Sequence, residues 1–408
     1  MISTIRSCLT SCFGYKQEDE DDVDDEMWTN EIPNDILRFI LHRLPRPEYL
    51  QLREVCPTWR ILIDTTSPAS HQLLPWLLLG FDHLFFLKDD CFVNDHRKIS
   101  TLVQNGRPRC VGSVQGWLIM HEYVDKNRYF FLNPITGGVT MLPSSPCMEK
   151  EKVVASSIPT RPEHCYVASL NLLSGRLAFC RLEDKSWTLI EAFESESESE
   201  NALEFRDVEI AAGKLYAATS SALEFLMVFD IKLSGGVPSY TAERLVVCYT
   251  DDVGGRTLTN RLYFPTWFLV KDSESHELFL LLRMANVAQV TEGFQVLKLG
   301  ECNSSGGARW VEIGDLGSRV FFVTMVNNKC ISSEKGDGGS DDKTVERNCI
   351  YFAFDWYSVE TNVVEDFGVF SLAKRSVKPL NSPMDHTNRG AYDVSVHLGC
   401  TLDLCWTL

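Results

Sequence analysis

The chain has 408 residues, 44% of them hydrophobic and 23% charged, which supplies a sizeable core and excludes a chain that is disordered throughout. A formal net charge of −17 repels phosphate backbones and anionic lipid, and no basic patch offsets it, so neither nucleic acid nor a membrane surface is expected as a partner. The longest apolar run, residues 73–81, is broken by Pro75 and falls short of the roughly 20 residues that a spanning helix needs.

Residues 1–16 carry Arg6, Lys16, Cys8 and Cys12 and read as a terminal tail. Residues 18–26, EDEDDVDDE, set like charges side by side; they repel and stay solvated, which makes 1–26 an acidic, disordered tether. The texture then changes. In residues 27–66, Ile36, Leu37, Ile40, Leu41 and Leu44 recur at helical spacing and form one broad apolar face. Pro33 suits the start of that helix and Pro45 its stop; Pro47 opens a second helix with Tyr49, Leu50 and Leu52. Pro57 fits the first turn of a third, with Trp59, Leu62 and Ile63. Three short helices in so few residues bury too little surface to be self-sufficient. Their apolar face therefore either docks on a partner or packs on the rest of the chain.

After a linker over 67–77 the period changes to short apolar or alternating runs separated by Gly, Asn, Asp and Pro, the pattern of an all-β domain over 78–408. Predicted strands cover 109–114, 117–122, 129–133, 165–171, 176–181, 187–191, 205–210, 214–218 and 226–230. Further strands are predicted over 244–249, 266–271, 277–283, 294–299, 310–313, 320–325, 349–355 and 392–398. So many short strands at close intervals suit a β-propeller better than a sandwich, because stacked blades leave only short edges. Residues 211–216, AAGKLY, show the hairpin grammar of its units. Residues 194–201, ESESESEN, and 332–343 read as solvated loops.

Chemistry-bearing motifs are sparse. There is no GxSxG, GxGxxG, Walker loop or HExxH, and none of the residues is assigned a catalytic, cofactor-binding or metal-binding role. The nearest approach to an acid/base pair is His121–Glu122 and His276–Glu277, neither followed by a second His one turn on, and both read as structural or surface histidines. The 14 cysteines include no CxxC and suit a reducing compartment, with most as buried thiols, Cys400 and Cys405 in their strand-like apolar context among them. The tryptophans from Trp117 to Trp406 read as blade packing. Ser195, Ser197 and Ser199, each beside Glu, would suit an acid-directed kinase, against a plain solvated loop.

The helical module resembles the F-box: Ile32-Pro33-x-Asp35-Ile36-Leu37, Ile40-Leu41-x-x-Leu44-Pro45 and Val55-Cys56-x-x-Trp59-Arg60-x-Leu62-Ile63 follow its order. Ile32 stands where Leu is more usual, and Pro57 where Lys, Arg or Ser is common. The resemblance implies docking on a Skp-type linker, and through it a cullin, by Pro33, Ile36, Leu37, Ile40, Leu41, Leu44, Leu50, Val55, Cys56, Trp59 and Leu62. The rest is similar to the propeller-like domain of unknown function that follows the F-box in a large plant family. That similarity rests on GSVQGWLIM at 112–120, FLNPITG at 131–137, FLVKDSESHELFLLLR at 268–283, WVEIGDLGSRVFFV at 310–323 and CIYFAFD at 349–355. The implied protein is an α+β multi-domain chain, a three-helix F-box before an all-β propeller, acting as a non-catalytic ubiquitin-ligase subunit. It would present an unknown protein substrate in nucleus and cytosol; the alternative is a propeller binding module uncoupled from ubiquitination.

Overall fold

The computed structural model describes residues 76–79, 83–88, 91–98, 108–122, 128–134, 137–143, 151–160, 162–191, 203–233, 238–249, 266–272, 274–301, 307–332, 345–356, 364–380 and 404–407. The chain divides into two compact units, Met1–His71 and Gln72–Leu408. The three predicted helices, the acidic tether, the 194–201 loop and the 392–398 strand lie outside the described residues. Among the described residues of the second unit the all-β expectation holds, apart from one 3-10 turn at Pro162–His164.

Six blades can be followed in chain order among the described residues. The first holds β1 (Trp76–Leu79), β2 (His83–Lys88) and β3 (Cys91–Lys98). The second holds β4 (Arg109–Val114), β5 (Trp117–Glu122), β6 (Arg128–Leu132) and β7 (Val139–Leu142). The third has β8 (Glu151–Ala155), β9 (Tyr166–Asn171), β10 (Leu177–Arg181) and β11 (Thr188–Ile190). The fourth has β12 (Phe205–Ala211), β13 (Lys214–Thr219), β14 (Phe225–Lys232) and β15 (Ser239–Tyr249). The fifth has β16 (Thr266–Lys271), β17 (Leu278–Ala285), β18 (Thr291–Glu301) and β19 (Ala308–Glu312). The sixth has β20 (Arg319–Val323), β21 (Asn328–Ser332), β22 (Cys349–Trp356), β23 (Val364–Ser371) and β24 (Ser376–Pro379). The last strand, β25 (Leu404–Thr407), returns to pair antiparallel with β1, so the two ends of the propeller share the first blade.

The strands β25, β4, β8, β12, β16 and β21 touch in that order and close on themselves, which makes them the inner ring. Two departures from plain four-stranded blades stand out. Blades four and five are joined at their outer edges by parallel pairing of β15 with β19, and β20 lies between β21 and β22 with parallel pairing to β22.

Because successive side chains of a strand point to opposite faces, each blade feeds two cores. Val153 joins the cluster with Ile119, Tyr129 and Phe131 of blade two, and Val154 the cluster with Phe205, Ile210 and Phe229 of blade four. Phe321 packs with Phe268 and Phe279 of blade five, while Phe322 packs with Leu77 of blade one. Leu78 turns the other way, onto Leu118, Met120 and Phe130 of blade two. Blades four and five share Leu226, Leu280, Leu297 and Trp310. Each of the six junctions thus has its own apolar cluster, and each buried Leu or Phe contributes about 1.5–3 kcal/mol.

Tight hairpins hold the register. Gln115 and Gly116 have φ of 44° and 83°, and Ala212 and Gly213 have 49° and 79°, so both links have two consecutive left-handed residues, as the two-residue type I′ turn requires. A second glycine constraint is steric: at Gly112 on β4, a Cβ would overlap the backbone carbonyl oxygen of Val153 on β8. Inner strands of blades two and three approach through that gap. Gly112→Ala is therefore expected to destabilise the chain by about 1–3 kcal/mol in urea unfolding. Gly314→Ala, where a Cβ meets nothing within 4 Å, is expected to stay within about 0.5 kcal/mol of the parent.

Candidate functional site

The predicted docking residues, from Pro33 to Leu62, lie outside the described residues, as do Ser195, Ser197 and Ser199. Trp310 and Trp187 are buried, and their indole N–H groups donate to the carbonyls of Ala222 and Pro143, the packing role expected of them. Cys110, Cys165, Cys180, Cys330 and Cys349 are buried thiols outside any disulfide. Burial raises Cys165 above the ordinary thiol range and pushes Cys180 and Cys330 further in the same direction. Such thiols are poor nucleophiles and poor metal ligands. Among the described residues no group of three or more His, Cys, Asp or Glu could hold a metal ion, and no helix is long and apolar enough to cross a membrane.

Polar chemistry gathers instead at the inner ring. Lys152 on β8 is fully buried, and its Nζ lies 2.5 Å from Oδ1 of Asp207 on β12. The other carboxylate oxygen of Asp207 accepts the Leu269 N–H of β16 at 2.6 Å. Burial pushes the Asp207 carboxyl up, against Lys152 and the two backbone donors, Leu269 and Val208, that favour its charged form. From β21, Asn328 donates to the Leu269 carbonyl at 3.1 Å and Lys329 to the Ser113 carbonyl of β4 at 2.8 Å. Beside it, Asn327 Nδ2 donates to Ser113 Oγ at 2.5 Å. Charge and amide groups thus tie β8, β12, β16, β21 and β4 around the axis.

One polar group of this ring is incompletely satisfied. Register places Arg109, His121 and Tyr129 in one row across β4, β5 and β6, on one face of blade two. Facing that row is Glu151, the first residue of β8, itself only 3% exposed. The Tyr129 hydroxyl donates to Glu151 Oε2, and His121 Nδ1 lies 3.9 Å from the same oxygen. The His121 and Tyr129 rings stack with centroids 4.0 Å apart. Glu151 Oε1 has no hydrogen-bond partner among the described residues. Burial raises the Glu151 carboxyl from 4.5 to about 7, with the Tyr129 hydroxyl and then the Arg109 charge opposing. Behind the row, Arg128 pairs with buried Glu122.

His121 and Glu122 were visible in the sequence as the nearest thing to an acid/base pair, and the structure buries both rather than exposing them. Glu151 was not singled out, because EKVVA carries no alternation that marks it as a strand. Among the described residues the arrangement brings no nucleophile and no second carboxyl onto a reacting atom; its one strongly perturbed group is the Glu151 carboxyl.

A protein-family model described as the KIB1-4 beta-propeller matches residues 85–371, and the F-box domain model matches residues 30–69. Neither describes a catalytic family. The chain is 22% identical over 348 residues to the Arabidopsis thaliana F-box protein KIB3, covering 79% of this chain and 70% of that one. It is 27% identical over 171 residues to an Arabidopsis thaliana F-box/kelch-repeat protein, covering 40% of this chain and 44% of that relative, so it spans less than half of that protein. Among solved structures, Kluyveromyces lactis Hsv2 aligns at TM-score 0.30 and 10% identity over 58% of this chain and 71% of that one. The periplasmic gluconolactonase PpgL of Pseudomonas aeruginosa aligns at TM-score 0.34 and 12% identity over 82% and 99%. At these scores neither structure bears on the reading of this chain.

Replacing Tyr129 by Phe keeps the ring and removes the one hydroxyl that bonds Glu151 across the blades. It is expected to cost about 1–3 kcal/mol in equilibrium unfolding, the usual penalty for leaving a buried polar group without its partner.

Proposed function

This chain belongs to the KIB1-4 beta-propeller family, and from that premise we propose that it is the substrate-recruiting subunit of a Skp, cullin and F-box ubiquitin ligase. The observation that carries the reading is the F-box match at residues 30–69 ahead of a propeller match at 85–371. In this reading the apolar face built from Ile36, Leu37, Ile40, Leu41 and Leu44 docks on a Skp-type linker, and the propeller holds the target protein. Burial of three or four such side chains at roughly 1.5–3 kcal/mol each is enough to decide binding. The chain does no covalent chemistry; it holds a target lysine near the charged thioester of a conjugating enzyme, and its contribution is proximity.

Co-expression with a Skp-type linker, followed by pull-down and sizing, tests the reading. The full chain is expected to form a one-to-one complex and residues 67–408 alone to form none. Leu41→Asp would put an unpaired charge into a desolvated apolar contact at a cost of several kcal/mol, and linker binding is expected to disappear. Undiminished co-purification of the linker with that variant would overturn the docking assignment. A stable linker complex that never recruits cullin would make the chain a binding module outside the ubiquitin pathway.

A further inference from the structure

The seam between blades two and three is largely apolar. Val153 and Ala155 of β8 pack there on Ile119, Tyr129 and Phe131, and two residues before Val153, on the same face, stands Glu151. Its carboxyl is buried and bonded from blade two by the Tyr129 hydroxyl, while Oε1 has no partner among the described residues. Ser169, opposite Val153 on β9, shares that face, and its Oγ is likewise unpartnered. The next residue, Lys152, points to the other face and is committed to Asp207, so the nearest cation on the same strand does not neutralise Glu151. From blade two the titratable and charged groups that face it are Tyr129, His121 and Arg109.

We propose that Glu151 is a proton-controlled latch between blades two and three: protonated, it sits neutral in the seam and holds Tyr129; ionised, it leaves a buried charge with one oxygen unbonded and loosens the two sheets. A carboxylate with one oxygen bonded and the other facing no donor is poorly compensated, so desolvation favours the neutral form. The placement of its titration at about 7 agrees with that geometry. The sign follows from linkage. The folded chain keeps a proton that the unfolded chain releases near 4.5, so this group's contribution to stability is full below that value. It falls as pH rises, by about tenfold in the folded-to-unfolded ratio per pH unit, and is gone above about 7.

The test compares the full chain with Glu151→Gln by urea unfolding between about pH 5 and about pH 8.5. The ratio of the parent's folding constant to the variant's is expected to fall by about tenfold per unit up to about pH 7 and then level off. Parallel curves would overturn the proposal. The infrared spectrum of the folded parent gives a second reading that does not depend on the variant folding. A protonated-carboxyl band that bleaches near neutral pH is expected, and it should persist in His121→Gln, which removes the nearest imidazole. Absence of that band below neutral pH would also overturn it. Loosening itself is read by hydrogen exchange: protection factors of β6 and β8 amides should drop across neutral pH relative to those of β17 and β22. Equal changes in all four strands would leave no latch.

Discussion

Lys152 carries a charge in between blades three and four, where its side chain is fully buried, and Asp207 is what makes that position tolerable. Taking an ammonium and a carboxylate out of water costs several kcal/mol per ion, and the mutual attraction repays it only when geometry is good and the remaining oxygens are bonded. Asp207 meets both conditions: one oxygen takes Lys152, and the other takes the N–H of Leu269 on the next blade. Three successive inner strands are thereby held at one height. An apolar side chain at 152 could fill the same space, but it would not choose one register over its neighbours, since apolar contacts are not directional. The ion pair is specific where the surrounding clusters are merely cohesive.

The alternation of side chains along each inner strand converts this local choice into a global one. Glu151 and Lys152 are adjacent in sequence, and because they point to opposite faces they reach blade two and blade four respectively. Val153 and Val154 repeat the division in apolar form. A slip of β8 by one residue would therefore set acid in the place of base or base in the place of acid, as well as exchanging the cores. Blade six shows the same economy, with Phe321 and Phe322 committed to opposite neighbours. Closure follows from β25 on β1, which puts Leu77 and Leu78 between blade six and blade two.

Part of the fold was legible in the sequence, the inner strands β4, β12 and β16 included. Middle strands such as β5, β14 and β17 are covered by neighbours on both faces, and their apolar runs mark them plainly. The inner strands β8 and β21 read EKVVA and NKCIS, in which charged and amide residues interrupt the run, and neither was predicted as a strand. Those interruptions are the polar contacts of the ring. Blade number was hidden for a related reason, since it is set by the way inner strands meet and not by a repeated signature. The F-box motif was read by resemblance over residues 27–66, and the family-model match at residues 30–69 overlaps it, because the motif consists of residue types at fixed spacing in one short segment. The Glu151 cluster draws on β4, β5, β6 and β8, and no local pattern announces it.

Glu151 and Lys152 also meet partners of different kinds. Each enters a seam that excludes water, and each meets one strong partner. Lys152 meets an opposite charge whose second oxygen is already bonded, so the pair offsets part of its burial, although burial still pushes the Asp207 carboxyl up. Glu151 meets a neutral hydroxyl, with Arg109 acting only as a nearby charge, so nothing repays the cost of its own ionisation in full. The difference is one of bookkeeping between charge and dipole: a phenol hydroxyl orients a carboxylate but neutralises none of it. It is this shortfall, added to burial, that leaves the Glu151 carboxyl raised to about 7.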